Sequence, residues 1–254
     1  MMTQTSPVTT IQSNSAPYAV RVLESKMITP TVHRIRLEKP KTFDFQVSQA
    51  VRLFMNTANG LERHPLSIAS SPTRDYLEFA ARQTHSDWKN IFFALKKDDE
   101  INIEGPLGRF FLNEEHPAIL IAGGIGITPL KSMVEYATDV KLRTSLTLLY
   151  SNRTPDEIAF KDELDALALS NPHLKIIHTI TRHQPHHEWN GRIGRIDEEL
   201  LRQVSHDKPH AIYYICGTPS MIEDTVRMLT NLGVASERIQ LETFKGYARH
   251  AANF

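Results

Sequence analysis

Two loops in the second half of the chain carry residue types that suit nucleotide chemistry. The first, Gly123-Gly124-Ile125-Gly126-Ile127-Thr128-Pro129, follows the apolar run AILIA and precedes a segment with helical spacing. Glycines allow a backbone to approach a ligand closely, and Pro129 suits a first helical turn, where no N–H donor is needed. A bare helix N-terminus there could seat a pyrophosphate. A plain strand-to-helix turn fits the same residues, and the spacing is not the GxGxxG dinucleotide fingerprint. The second loop, Cys216-Gly217-Thr218-Pro219-Ser220-Met221, also follows an apolar run. Ligands of open α/β sheets lie outside the carboxyl ends of strands, so two such loops at one edge converge on a site. Cys216 alone reads equally well as inert core.

Two further stretches lie upstream. In Arg63-His64-Pro65-Leu66-Ser67-Ile68-Ala69-Ser70-Ser71-Pro72, Pro65 has no donor for a sheet ladder and belongs at an edge; a basic residue beside hydroxyls there could hold an anion. Gly105-Pro106-Leu107-Gly108-Arg109-Phe110 is by itself a tight turn. Downstream, His183, His186 and His187 crowd one loop. A metal site would also need convergent geometry and, as a rule, a carboxylate or thiolate, so a polar loop is the expectation and no metal is assigned.

The elements that must position these residues change character near Glu114–Pro117. Residues 1–17 are polar and unpatterned, as a loose tail is. From Tyr18 to about Leu112 short β-branched runs alternate with turn residues, which predicts an antiparallel sandwich or small barrel. One helix, DWKNIFFALKK, interrupts it, with Thr84 and Ser86 as cap candidates. From residue 115 onward, apolar strands AILIAG, SLTLLY, KIIHTIT, AIYYICG and RIQLE alternate with helical segments, the mark of a parallel sheet covered on both faces.

Composition narrows the function. The chain has 254 residues with 29 Lys+Arg against 29 Asp+Glu, so there is no net electrostatic drive towards nucleic acid. One cysteine excludes intrachain disulfides and a four-cysteine iron–sulfur site, and is compatible with a reducing, cytoplasmic setting. The longest apolar stretch is too short and glycine-rich to span a bilayer.

Taken in order, HPLSIAS, GPLGRF, GGIGITP and CGTPSM, closing in ERIQLETF, resemble the ferredoxin–NADP reductase superfamily from about Tyr18 to Phe244. The resemblance implies a six-stranded antiparallel Greek-key barrel for FAD (residues 18–114). A five-stranded parallel, Rossmann-like domain for NADH or NADPH would follow it (residues 115–254). HPLS is most similar to the His-Pro-Phe-Thr variant of ferric-reductase and NADPH-oxidase relatives, and Ser86-Asp87-Trp88-Lys89 to their Gly-Asp-Phe-Thr segment. It implies that Arg63, His64, Pro65, Leu66 and Ser67 line the flavin, with the Ser67 hydroxyl near N5. Ser86, Asp87 and Trp88 would face its pyrophosphate, and Gly105 and Gly108 would shape its floor.

On the nucleotide side the resemblance implies that Gly124, Gly126, Thr128 and Pro129 grip the nicotinamide nucleotide. Cys216 and Gly217 would border its ring, and Glu242 and Phe244 the flavin edge, making Ser67, Cys216 and Glu242 the catalytic set. At the end of the second parallel strand, Ser151 and Arg153, with Arg182 after the third, favour a 2′-phosphate and hence NADPH; a solvated loop charge is the plain alternative. Leu66 stands where an aromatic ring stacks on the flavin, and Val47-Ser48-Gln49 where Pro-Gly-Gln is usual. The expected activity is hydride transfer from NAD(P)H to FAD and then electron transfer to a separate acceptor, a redox protein or small molecule. The alternative is a non-catalytic or electron-transfer subunit of a larger redox complex. FMN is a further alternative to FAD.

Overall fold

In the computed structural model, residues 17–186 and 188–243 are described. Six strands build the first half: β1 (Tyr18–Thr29), β2 (Val32–Glu38), β3 (Ala50–Thr57), β4 (Gly60–Ser67), β5 (Tyr76–Arg82) and β6 (Glu100–Leu107). They pair antiparallel in the order β4-β3-β6-β1-β2-β5. The two edges meet just past β4, where Ile68 N donates to Gln49 O and Ala69 N to Glu78 O, each at 2.8 Å. Alternation aims Val20, Val22, Ile35, Leu37, Val51, Leu53, Leu77, Phe79 and Ile103 into one apolar core. Helix α1 (Asp87–Ala94) adds Trp88 and Phe92 to that core. Its N-cap is Ser86, whose hydroxyl accepts from Lys89 N, as the cap candidates predicted.

The HPLS segment lies inside β4, an edge strand, so Pro65 costs no ladder bond to a second neighbour. The strand runs from residue 60 to 67 and stops before Ile68, a shift upstream of the apolar run LSIAS. Its pairing with β3 is continuous from Thr57↔Gly60 to Ala50↔Ser67, and that register carries the polar residues Glu62 to His64 into the sheet.

The second half is a parallel sheet: β7 (Ala118–Gly123), β8 (Leu146–Asn152), β9 (Leu174–Ile180), β10 (Arg192–Ile193), β11 (Ile212–Cys216) and β12 (Ile239–Glu242), in the order β10-β9-β8-β7-β11-β12. Five of these strands are the five apolar runs; β10 is a sixth, two residues long. Helices α2 (Ile127–Asp139) and α3 (Lys161–Ser170) cover one face. The other is covered by α4 (Glu198–Ser205) and α5 (Pro219–Asn231). The order reverses between β7 and β11, so the glycine loop and the Cys216 loop diverge from one switch point, where such sheets bind ligands.

Domain contact explains a burial pattern that alternation alone would not. The outward faces of β2 and β5 point at α2 and α3, so Val32, Arg34, Glu78 and Ala80 are buried like core residues. Val32 and Ala80 belong to the same apolar cluster as Leu130 and Met133 of α2.

Candidate active site

The site is built where the last residues of β4, β11 and β12 meet. The Ser67 hydroxyl donates to Glu242 Oε1 at 2.7 Å, joining the barrel to the far edge of the parallel sheet. Glu242 pairs in register with Cys216. Burial pushes the Glu242 carboxyl up to about 7, and the Ser67 bond offsets only part of that. Its Oε2 is buried without a hydrogen-bond partner among the described residues. Burial, and then the Glu242 charge, raise the Cys216 thiol well above its ordinary range, so it is no ready thiolate at neutral pH.

Close backbone approach sets the switch point. A Cβ on Gly126 would lie 2.3 Å from the Cys216 carbonyl oxygen and 2.8 Å from Gly217 N. Gly126 is therefore required for loop-on-loop packing, whatever else it does. Gly123 and Gly217 leave a notch that the Met221 sulfur fills, at 2.2 Å and 2.9 Å from where their Cβ atoms would stand. Gly124 has φ +55°, a left-handed conformation that favours glycine. The Thr128 hydroxyl turns back to donate to Ile125 O at 3.3 Å, and Pro129 is buried; both steady the turn from inside.

One candidate side chain escaped the sequence reading. Arg82, at the end of β5, sends Nη1 to Thr31 Oγ1 (2.8 Å) and Glu157 Oε2 (2.9 Å), across the domain boundary. Its Nη2 lies 3.5 Å from the Cβ position of Gly124. A barrel arginine thus stands beside the glycine turn that opens α2, where an anionic ligand would find both. Nothing in AARQT signals this, because the contact joins residues 42 positions apart.

On the barrel side, β4 aims His64 and Leu66 one way and Arg63 and Pro65 the other. The His64 ring lies 4.7 Å from that of Trp88, and its Nε2 is 2.8 Å from Glu62 Oε2. Leu66 is half-buried against the barrel core. Arg63 belongs to the opposite face: its guanidinium lies 4.8 Å over the Phe54 ring, opposite Phe54 in the β3–β4 register. β-strand alternation thus places Arg63 on the opposite face of β4 from His64. Trp88 is fully buried and its Nε1 has no partner among the described residues. Ser86 and Asp87 are exposed at the start of α1, and burial lowers Lys89 to about 8.

Gly105 is hemmed in, with Val51 Cγ1 and Ala50 O at 3.0 Å and 3.1 Å from its Cβ position, whereas Gly108 (φ +96°) is an open turn. At the other end of the sheet edge, Ser151 is half-buried and Arg153 and Arg182 are exposed. The structure brings the two arginines together: Arg182 N donates to Arg153 O at 2.7 Å. Phe244 and His187 lie outside the described residues.

A flavin dinucleotide fits these groups. Unpartnered Trp88 Nε1 and Glu242 Oε2 are a buried donor and a buried acceptor associated with β4, through the His64 contact and the Ser67 bond. Buried polar atoms of this kind call for a partner. A family model described as an FAD-binding domain matches residues 17–123, and one described as an oxidoreductase NAD-binding domain matches residues 120–227. The chain therefore pairs an FAD-binding domain with an oxidoreductase NAD-binding domain, in that order.

Among relatives by sequence, a subunit of the Na(+)-translocating NADH-quinone reductase of Pseudomonas aeruginosa is 31% identical over 192 residues, 74% of this chain and 46% of that protein. Its counterpart from Methylococcus capsulatus is 32% identical over 162 residues, 62% of this chain and 40% of that one. The chain thus spans about half the length of these relatives or less. A ferredoxin NADP+ reductase from Neisseria gonorrhoeae, solved with bound FAD and NADP, superposes with a TM-score of 0.78 at 23% identity, covering 90% of this chain and 99% of that one. The flavohemoglobin of Malassezia yamatoensis, with bound FAD and heme, reaches 0.80 at 21% identity, covering 91% and 61%. These structural likenesses establish the two-domain fold. Among the described residues no helix is long and apolar enough to cross a membrane.

Proposed function

We propose that this chain is an FAD-dependent NAD(P)H oxidoreductase that takes hydride from a reduced nicotinamide nucleotide and hands electrons to a separate acceptor. The observation that carries it is the Ser67–Glu242 contact beside Cys216, which joins the end of the FAD-binding half to the end of the NAD-binding half. When bound, the two cofactors supply the hydride and electron chemistry. The protein's residues supply position. His64, Leu66 and Ser67 line the flavin side, and the backbone around Gly124 and Gly217 shapes the nucleotide side. Glu242, with its carboxyl near 7, can hold or release a proton at Oε2 at neutral pH, while Ser67 Oγ donates to Oε1 and keeps the group oriented.

Arg153 and Arg182 support NADPH as the preferred donor, since their adjoining backbones put two exposed arginines at the end of β8 and β9, and a guanidinium there suits a 2′-phosphate. The Na(+)-translocating relatives are named for NADH. Anaerobic stopped-flow reduction of the FAD-loaded protein by each donor tests both statements. Rapid bleaching of the flavin, faster with NADPH at equal concentration, is the expected outcome. A protein that cannot be loaded with FAD, or whose flavin neither donor reduces, overturns the reductase reading; faster reduction by NADH overturns the NADPH preference alone.

A second reading is favoured by those relatives, which are subunits of a redox complex. There the same two-domain unit would pass electrons to a neighbouring protein of the complex, not to a diffusing acceptor. A stable complex recovered with the protein from its own cells, retaining donor-dependent reduction, would support it.

A further inference from the structure

The seam between the two halves is charged where a domain seam would ordinarily be apolar. Lys131, on the second turn of α2, is 1% exposed. Its Nζ lies 2.8 Å from Glu78 Oε2 on the barrel strand β5, and 3.4 Å from both Glu135 Oε2 of its own helix and Glu163 Oε2 of α3. Glu78 is fully buried and also takes Arg36 Nε at 2.9 Å. Arg34 of β2 crosses the same seam to Glu163 Oε1 at 2.6 Å.

Hydrogen bonds continue this pattern along α2. Ser48 Oγ donates to Pro129 O (2.7 Å), Ser132 Oγ to Ser70 O (2.8 Å), and Ser71 N to Glu135 Oε2 (2.8 Å). Arg74 reaches Glu135 Oε1 and Asp139 Oδ1, at 2.9 Å and 3.1 Å. Every turn of the helix is tied to the barrel.

A buried ion pair adds little net stability over an apolar contact of the same shape. It differs in direction and reach: apolar surfaces can slide by an ångström at little cost, whereas a lysine held by carboxylates from two domains cannot. α2 begins at the glycine turn, so whatever fixes α2 against the barrel also fixes the nucleotide loop against Ser67. Donor and acceptor atoms must come within about 3–3.5 Å for transfer, and a misplacement of about 1 Å can lower the rate on the order of 100-fold.

We propose that Lys131, through Glu78, is a positioning residue for hydride transfer: it sets the height of the nucleotide-binding turn above the flavin site without touching either cofactor. This rests on the reductase reading above. It predicts a particular split. Most groups offered to each cofactor belong to one domain, with Glu242 and Arg82 reaching across, so binding largely survives loss of the link, whereas the distance between the rings does not.

The test compares the full chain with Lys131→Met, Glu78→Gln and the double variant. Four quantities are measured: FAD affinity, NADP+ affinity, the long-wavelength charge-transfer absorbance of the nucleotide–flavin pair, and the limiting rate of flavin reduction at saturating donor. Both affinities should stay within about 3-fold of the parent, the charge-transfer band should fade, and the limiting rate should fall about 10- to 100-fold. The double variant should be no slower than the slower single, as expected of two residues acting through one contact. Amide hydrogen exchange should rise in α2 and in residues 68–72 and stay unchanged in α4 and α5, a readout independent of turnover.

Folded single variants with the parent's band and limiting rate would overturn the proposal, as would a loss confined to FAD or nucleotide affinity. If Lys131→Met does not fold, Glu78→Gln decides, since it keeps an oxygen for Lys131 and the shape of the side chain. A parent protein that neither donor reduces overturns the reductase reading itself; a parent that is reduced, alongside equally fast variants, overturns this inference alone.

Discussion

The two ends of the interdomain cleft are built on opposite principles. At the proposed flavin end, buried Ser67 and Cys216 flank half-buried Glu242, with Gly126 pressed against the Cys216 backbone. At the proposed adenosine end, Arg153 and Arg182 are exposed and share a single backbone hydrogen bond. Reaction requires a fixed distance, so the residues around it are over-determined and one of them, Glu242, carries a raised proton affinity as a result. Discrimination between nucleotides needs charge that stays solvated until the ligand arrives, and such charge costs the empty protein little. One end is therefore intolerant of volume and the other of charge removal.

The sharpest way to break that contrast is Gly126→Ala. Three backbone atoms, Cys216 O, Cys216 C and Gly217 N, lie 2.3, 2.6 and 2.8 Å from the new Cβ, and none can rotate away. The two loops must part, at a cost of about 3 kcal/mol or more. Chemical denaturation should show it, with donor binding weakened in whatever protein folds. Gly124→Ala is the control: its nearest neighbour is the Arg82 side chain at 3.5 Å, so backbone strain of about 1 kcal/mol is the main expected loss. Equal effects would mean that the close approach at the switch point is not tight.

Next in size is the pH dependence of Glu242. Its carboxyl is raised from the ordinary 4.5 to about 7, so the folded state holds that proton more tightly than the unfolded chain. Stability from this group is fully present below pH 4.5 and is lost as pH rises through 7, by about 3 kcal/mol in all. Glu242→Gln removes the linkage. Denaturation of the cofactor-free proteins at about pH 5 and about pH 8 should show the parent losing about 2 kcal/mol more than the variant over that interval. Parallel curves would mean that Glu242 is hydrated.

At the open end, Arg153→Ala and Arg182→Ala should leave stability unchanged, since both guanidinium groups are exposed to solvent. Each should raise KM for NADPH about 10-fold with little change for NADH, the size of one charge-assisted contact. An equal rise for both donors would remove their discriminating role.

Much of this contrast was legible in the chain, and the exceptions share a cause. The apolar runs AILIAG, SLTLLY and AIYYICG announced buried parallel strands because each is continuous, whereas Arg192–Ile193 has no run to announce a sixth. Ser86 read as a cap because capping is a local event. Gly126 read as a ligand-approach glycine, and its packing against Cys216 was invisible because the partner lies 90 residues away. Lys131 in TPLKSMVEY and Arg82 in AARQT carry no local signal of their roles. Their partners come from the other domain, so no local period could have marked them. What escaped the sequence was the seam.

Ser48 tests that seam with the smallest effect. It stands where the superfamily pattern carries glycine, and its φ of +68° is the left-handed conformation that glycine adopts freely. Its hydroxyl donates to Pro129 O, and its amide to Ser132 Oγ at 3.3 Å, so the strain is held by bonds to α2. Ser48→Ala keeps the strain and loses the hydroxyl bond, a cost of about 1 kcal/mol. Ser48→Gly loses the same bond but relieves roughly 1 kcal/mol of strain, less what the freer unfolded chain gives back. Glycine should therefore be the milder change of the two by a fraction of a kcal/mol, reversing the order seen at sites with ordinary backbone. Denaturant midpoints of the two variants side by side decide it: if alanine is the milder, the loop does not hold this conformation against α2, and the tie between barrel and helix is looser at its nucleotide end than at Lys131.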